Sequence, residues 1–241
     1  MKCPRTAMVL AAGLGTRMAP LTLTTPKPLI KAAGKPLIDW TLDALRAADV
    51  RRAIVNVHHL AGQLEDHLAE LKSPAIIVSD ERGELLESAG GIIKALPQLG
   101  ADAFYVLNAD TFWIDGSRPN LVLLAEGWDD ARMDILLMIA DKSQATGYDG
   151  RGDFHIAPEG KLRRLEAGET SPFIYAGAAI IHPRIFAGAK AGRASLNRYF
   201  DEAIAADRLY GVPMDGLWLT VGTPGAIGEA EAAIAAHKVH G

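Results

Sequence analysis

Short apolar runs rich in β-branched residues alternate with amphipathic stretches through the first half of the chain. Residues 7–12, 53–57, 75–78 and 104–107 read as short buried strands, and helical spacing falls over residues 37–48, 60–71 and 91–96. Continuous apolar strands separated by amphipathic helices predict an α/β fold, a mixed, mostly parallel sheet with helices on both faces. In such a sheet ligands collect beyond the carboxyl ends of the strands, so the segments after the first and fourth strands draw attention first. The second half is less regular. Residues 135–140 and 174–181 predict further buried strands, and residues 196–206 and 225–237 predict helices. Between those two strands lies a stretch rich in Gly, Asp and charged residues, which reads as hairpins and loops. With no linker, low-complexity tract or internal repeat, one domain over residues 1–241 is expected.

Composition narrows the classes. The net charge of −4 argues against a nucleic-acid partner, which calls for a basic face or stripe. No apolar run approaches the roughly 20 residues that span a bilayer, and the apolar stretch before Gly13 is short for a secretory leader. The single cysteine, Cys3, excludes an intrachain disulfide and suits a reducing compartment. A cytoplasmic location without membrane contact is expected.

The densest chemical signal follows the first strand. Leu10-Ala11-Ala12-Gly13-Leu14-Gly15-Thr16-Arg17-Met18 continues to Pro20-Leu21-Thr22 and Pro26-Lys27-Pro28. Glycines let backbone N–H groups approach an anion closely. Arg17 can fork across phosphate oxygens, and Lys27 supplies a point charge. The P-loop pattern fails because Gly15 is followed by Thr16 and Arg17. The dinucleotide fingerprint fails because Met18 stands where its third glycine belongs, which disfavours a dehydrogenase. Glycines alone would suit a plain tight turn. The prolines flanking Lys27 are read as holding its backbone extended and rigid, an arrangement that serves a ligand better than a surface.

Residues 10–29 resemble the signature of the sugar-1-phosphate nucleotidyltransferases, a family with a Rossmann-like nucleotide-binding fold, and weaker matches run along nearly the whole chain. The resemblance implies an enzyme that joins a nucleoside triphosphate to a sugar 1-phosphate and releases pyrophosphate. It assigns nucleotide contacts to Ala11, Ala12, Gly13, Gly15, Thr16, Arg17 and Lys27, and to Glu87, Ala89 and Gly90 at a glycine-rich helix start. Arg17, Lys27 and Asp110 carry the catalytic roles, with Asp110 as the Mg²⁺ ligand. Asn108, Asp153 and Gly177 are assigned to the sugar phosphate. Plainer readings stand beside these: an Asx turn for Asn108 to Asp110 and an N-cap for Ser88. Residues 150–154 are similar to a segment of small bacterial members of the family that use UTP and N-acetylmuramate 1-phosphate. GTP with mannose 1-phosphate, then dTTP or UTP with glucose 1-phosphate, are the alternatives.

One position departs from the pattern. The family's late motif places a second metal-binding aspartate where this chain has Thr220, within Trp218-Leu219-Thr220-Val221-Gly222-Thr223. The ion would then rest on Asp110, phosphate oxygens and water, or Asp215 would swing in, or the chain would be a nucleotide-sensing module with weakened turnover. His58 and His59, adjacent on a strand end, point apart and are not expected to share a metal.

Overall fold

The computed structural model describes residues 3–240. The chain opens with β1 (Thr6–Leu10), passes three 3₁₀ turns (Thr16–Met18, Leu21–Leu23, Lys27–Leu29) and forms a minimal hairpin of β2 (Lys31–Ala32) and β3 (Lys35–Pro36) before α1 (Leu37–Ala47). Two strand–helix units follow, β4 (Arg52–Val57) with α2 (Ala61–Ala69) and β5 (Ala75–Asp80) with α3 (Glu87–Leu99). Then come β6 (Phe104–Asn108), β7 (Thr111–Asp115), α4 (Asn120–Glu126) and β8 (Ile135–Asp141). Three short strands, β9 (Ala145–Thr146), β10 (Phe154–Ile156) and β11 (Leu162–Arg164), precede β12 (Phe173–Ile181). The chain ends through α5 (Leu196–Ala205), β13 (Leu209–Pro213), β14 (Gly216–Thr220) and α6 (Pro224–His240).

Seven strands form the central sheet in the order β13-β8-β12-β6-β1-β4-β5. Only β12 runs antiparallel to its two neighbours; the remaining pairs are parallel. The mixed, mostly parallel sheet expected from the sequence is therefore present. Its inner strands are largely apolar because both faces are covered, whereas the edge strand β5 is half exposed and ends in Ser79 and Asp80. Ala7 and Val9 of β1 pack with Leu42 of α1 and Leu64 of α2. Met8, between them, turns to the other face and packs with Ile92 of α3 and Phe200 of α5. This alternation is the period-two geometry of a strand. Each such fully buried aliphatic or aromatic side chain contributes roughly 1.5–3 kcal/mol of transfer free energy.

Several boundaries differ from the sequence reading. Residues 11 and 12 leave the first strand. The helix expected over residues 91–96 runs from Glu87 to Leu99. It starts early because the Ala194 carbonyl accepts the Ala89 and Gly90 N–H groups at 2.9 and 3.1 Å, satisfying amides that a helix start leaves orphaned. It continues past Pro97 because that residue is exposed, while Leu99, 3 % exposed, carries the apolar spacing of Ile92 and Ala95 one turn further. The sequence reading also missed β7, α4, β13 and β14. β7 and β14 pair antiparallel, with Thr111 opposite Thr220 and Asp115 opposite Gly216, and β9 adds to them as a third strand.

Residues 192–196 lie across the start of α3. A side chain at Gly90 would place its Cβ 2.4 Å from the Gly192 carbonyl oxygen, so the close approach requires glycine. Gly90→Ala should lower the unfolding free energy by about 1–3 kcal/mol and speed amide exchange in residues 192–196. Urea denaturation and hydrogen-exchange mass spectrometry measure the two effects.

Candidate active site

The carboxyl ends of β1, β4 and β6 open into a cleft of about 520 Å³. Lys27 and Asp110 meet in it. The lysine Nζ lies 2.7 Å from the Asp110 Oδ2, with side-chain exposures of 11 % and 37 %. The lysine is held by the loop after β1. Gly15 has φ +62°, and a Cβ there would stand 2.8 Å from Thr22 Cγ2 and 3.0 Å from Lys27 Cβ. The loop can therefore fold onto the lysine stem only with glycine at this position. The Thr22 hydroxyl closes the same turn by donating to the Gly15 carbonyl at 3.0 Å. The backbone at Lys27 is not extended as the flanking prolines suggested. Pro26 is extended, but Lys27 opens a 3₁₀ turn with Pro28 and Leu29, which drives the ammonium inward.

The phosphate-loop amides divide into two sets. Ala11 and Ala12, assigned nucleotide contacts by resemblance, line the cleft, but their N–H groups donate to Asn56 Oδ1 at 2.6 and 3.2 Å. Those of Gly13, Leu14, Gly15 and Thr16 have no acceptor among the described residues. Gly13 faces open space, with no atom within 4 Å of where a Cβ would stand. A run of free amides beside a buried lysine is a ready anion cradle. Arg17 is exposed and outside the cleft lining, yet it belongs to the same end of the sheet. A Cβ on Gly222 would lie 3.5 Å from its Nη1, and the preceding Val221 N–H donates to the Asp110 carbonyl at 3.2 Å.

On the β6 side, Asn108 and Asp110 both line the cleft. Gly177 adjoins them. It has φ +80° at an irregularity in the β12–β8 pairing, and a Cβ there would meet Thr111 Oγ1 at 2.2 Å and Asn108 Nδ2 at 3.2 Å. Tyr175, two residues earlier, buries a hydroxyl with no hydrogen-bond partner. Burial and the negative charge of Asp110 both push its pKa up, so it stays protonated. Asp153, assigned to the sugar phosphate by resemblance, does not line the cleft. Its carboxylate accepts the Tyr175 N–H at 2.9 Å, and burial raises its pKa against the opposing pull of that bond.

The opposite wall is built by the turn before α3. Glu87 and Ser88 line the cleft together with Ser195. Ala89 is fully buried and Gly90 faces residues 192–194, so neither lines the cleft; the Ala194 carbonyl accepts their amides. Ser88 is not an N-cap either. Its hydroxyl accepts the Leu196 N–H at 2.8 Å. Glu87 adopts φ +61°, rare for a non-glycine residue, and its carboxylate pairs with Arg193 at 2.6 Å. Asn56 and Glu81, which also line the cleft, escaped the sequence reading. The available signal was a polar residue at the carboxyl end of an apolar strand. His58 and His59 hold separate carbonyls: Glu81 at 2.7 Å and Thr22 at 2.8 Å.

The donor set for a metal is sparse. Among the described residues no group of three or more His, Cys, Asp or Glu side chains converges. Asp110 brings a carboxylate to the Lys27 side of the cleft, with Glu81 and Glu87 elsewhere in the lining, and Thr220 does not line it. Asp215 cannot compensate. Its carboxylate is bonded to the Ser117 N–H and hydroxyl, both at 2.8 Å, at the far end of the β7–β14 pair. At about 3.4 Å per strand residue that end is roughly 15 Å from Thr220. One carboxylate still fits an ion such as Mg²⁺, which keeps waters and draws oxygens from substrate phosphates.

Comparison with known proteins agrees with this geometry. Residues 7–201 match the model of the MobA-like NTP transferase domain. The chain is 43% identical over 238 residues to the N-acetylmuramate alpha-1-phosphate uridylyltransferase of Caulobacter vibrioides, covering 97% of this chain and 98% of that protein. It is 35% identical to the protein of the same name from Neisseria meningitidis, covering 96% and 99%. The mannose-1-phosphate guanylyltransferase catalytic subunit beta of Drosophila melanogaster is 27% identical, and the match spans 59% of its length. Among solved structures, a UDP-glucose pyrophosphorylase bound to UDP-glucose superposes with a TM-score of 0.77 at 18% identity, covering 97% of this chain and 99% of that one. The chain belongs to the MobA-like NTP transferase family of nucleotidyltransferases.

Proposed function

We propose that this chain transfers UMP from UTP to N-acetylmuramate 1-phosphate, releasing pyrophosphate, in the cytoplasm and with Mg²⁺ as its metal. The observation that carries the reading is the 43% identity, over nearly the full length of both chains, to a uridylyltransferase of that specificity. Sugar nucleotidyltransferases generally use a divalent metal. The placement of Lys27 against Asp110 at the strand ends supports a phosphate-handling role for both.

In the reaction a phosphate oxygen of the sugar 1-phosphate forms a bond to the α-phosphorus of UTP. The bond from that phosphorus to the oxygen bridging the β-phosphate breaks, and pyrophosphate carries the electron pair away. The nucleophile is already ionised near neutral pH, so no general base is needed. The task is to bring two anions together and hold them in line. The free amides of Gly13, Gly15 and Thr16 receive the β- and γ-phosphates, with Arg17 closing on them from the rim. Lys27 turns from Asp110 to the α-phosphate and the attacking phosphate. Asn108 and Gly177 bound the sugar-phosphate side, and Glu87 and Ser88 bound the nucleoside. Asp110, with triphosphate oxygens and water, would hold the Mg²⁺, which supplies Lewis acidity and alignment when bound. The Lys27–Asp110 pair keeps each charge compensated until substrate and metal arrive.

Pyrophosphate release from a panel of triphosphates and sugar 1-phosphates, with and without EDTA, tests the reading. UTP with N-acetylmuramate 1-phosphate should give the highest kcat/KM, and EDTA should silence it. A higher kcat/KM for GTP with mannose 1-phosphate, or nucleotide binding without turnover of any pair, would replace the proposal. Lys27→Ala and Arg17→Ala should each lower kcat/KM by the equivalent of about 3 kcal/mol, the scale of losing one oriented charge; a near-wild-type rate for Lys27→Ala would remove Lys27 from the mechanism. Asp110→Asn should abolish metal-dependent turnover while the thermal melting profile shows an intact fold. Unchanged Mg²⁺ dependence in that variant would refute the assignment.

A further inference from the structure

Asn56 and Glu81 line the cleft but are nearly sealed from solvent, at 2 % and 1 % exposure. They join the end of β4 to the connections that follow β1 and β5. Asn56 Oδ1 accepts the Ala11 and Ala12 amides after β1, while its Nδ2 donates to Glu81 Oε1 at 2.8 Å. Glu81 Oε2 accepts the Leu86 N–H at 3.3 Å, in the turn that opens α3. The helix makes room for them. A Cβ on Gly91 would stand 2.7 Å from Glu81 Oε1 and 2.8 Å from Asn56 Nδ2. No cation pairs with the Glu81 carboxylate among the described residues, and an uncompensated buried carboxylate is a costly way to fill space.

A carboxylate has one property that a neutral amide or an apolar side chain lacks: ionised, it only accepts hydrogen bonds. Glu81 on one side, and the donor-only Ala11 and Ala12 N–H groups on the other, therefore hold Asn56 in one of its two amide orientations, Nδ2 toward the carboxylate and Oδ1 toward Ala11 and Ala12. That orientation withdraws two amides from the loop and leaves Gly13 as the first free donor. We infer that Asn56 and Glu81 are a positioning pair that fixes where the anion cradle begins and how far it stands from the turn bearing Glu87 and Ser88. They touch neither substrate; they set the register of the two walls between which a nucleotide lies. The inference rests on reading the cleft as the triphosphate site.

The pair can be tested by reversing its polarity. Asn56→Asp sets two carboxylates face to face and should raise the Kd of UTP, measured by calorimetry, on the order of ten-fold, the scale of one lost charged hydrogen bond. KM for UTP should rise with it, and kcat at saturation should change less. In Asn56→Asp/Glu81→Gln the introduced carboxylate accepts the Ala11 and Ala12 amides, and the introduced amide donates to it and accepts from Leu86. Every bond is restored with the donor reversed, so the Kd should return to within about three-fold of wild type, as coupled neighbours require. Should Asn56→Asp not fold, Glu81→Gln alone carries the test. A glutamine offers one oxygen where the carboxylate accepted from both Asn56 Nδ2 and the Leu86 N–H, so one of these donors loses its acceptor and the Kd should rise there too. An unchanged Kd in both single variants, or a double variant no better than Asn56→Asp, would overturn the pairing while leaving the enzymatic reading intact. Failure of UTP to bind the wild-type chain would instead remove the reading of the cleft, and the inference with it.

Discussion

An ammonium and a carboxylate from opposite sides of a strand pair, 2.7 Å apart, set the terms for everything around them. Lys27 arrives on a loop that must close tightly enough to bury it, which demands glycine at position 15 and a 3₁₀ turn at Lys27–Leu29. Asp110 arrives at the end of a fully buried strand and is kept there by the Val221 amide on its carbonyl. A parallel sheet brings these termini together without further devices, because β1 and β6 are neighbours whose carboxyl ends point the same way.

The charge distribution around that pair explains why the cleft suits a polyphosphate. The cationic side is assembled from free amides and Lys27. The opposite wall carries Glu81 and Glu87, which discourage phosphates from settling at the nucleoside end. The arrangement is polar along its length, so a nucleotide has one favourable direction of entry. The same logic makes Thr220 intelligible. On the proposed reading, a site with one fewer carboxylate would depend more on the triphosphate to recruit its ion, and substrate and metal would be captured together.

The sequence disclosed the main sheet because strands covered on both faces leave unbroken apolar runs. It disclosed the lysine and the glycines because the spacing of residues 10–29 is unusual, and pointed to Asp110 through the family resemblance and its place after an apolar strand. It hid β7 and β14, five-residue strands outside the central sheet, whose support comes from Asn120, a buried amide bonded to Asp115 and to the Asp215 carbonyl. It also did not show that Ala89, Gly90 and Asp153 stand off the cleft lining. In each case a local motif was legible while its partner was not. Ala194 takes the two amides meant for a base, and the Tyr175 N–H takes the carboxylate meant for a sugar. Asn56 and Glu81 went unseen because an orienting role depends on contacts between segments, which no single stretch of sequence displays.

The contact between the Leu196 amide and the Ser88 hydroxyl spans more than a hundred positions of chain. Until the ribosome has released residue 196, the start of α3 has no carbonyl from Ala194 on its amides and the cleft has no Ser195. A growing polypeptide can pair β1, β4, β5 and β6 early, since these are near in sequence, but it cannot present a finished nucleoside wall. The wall that carries Ser88 and Ser195 is thus completed only once residues 194–196 are in place, however early the sheet strands pair.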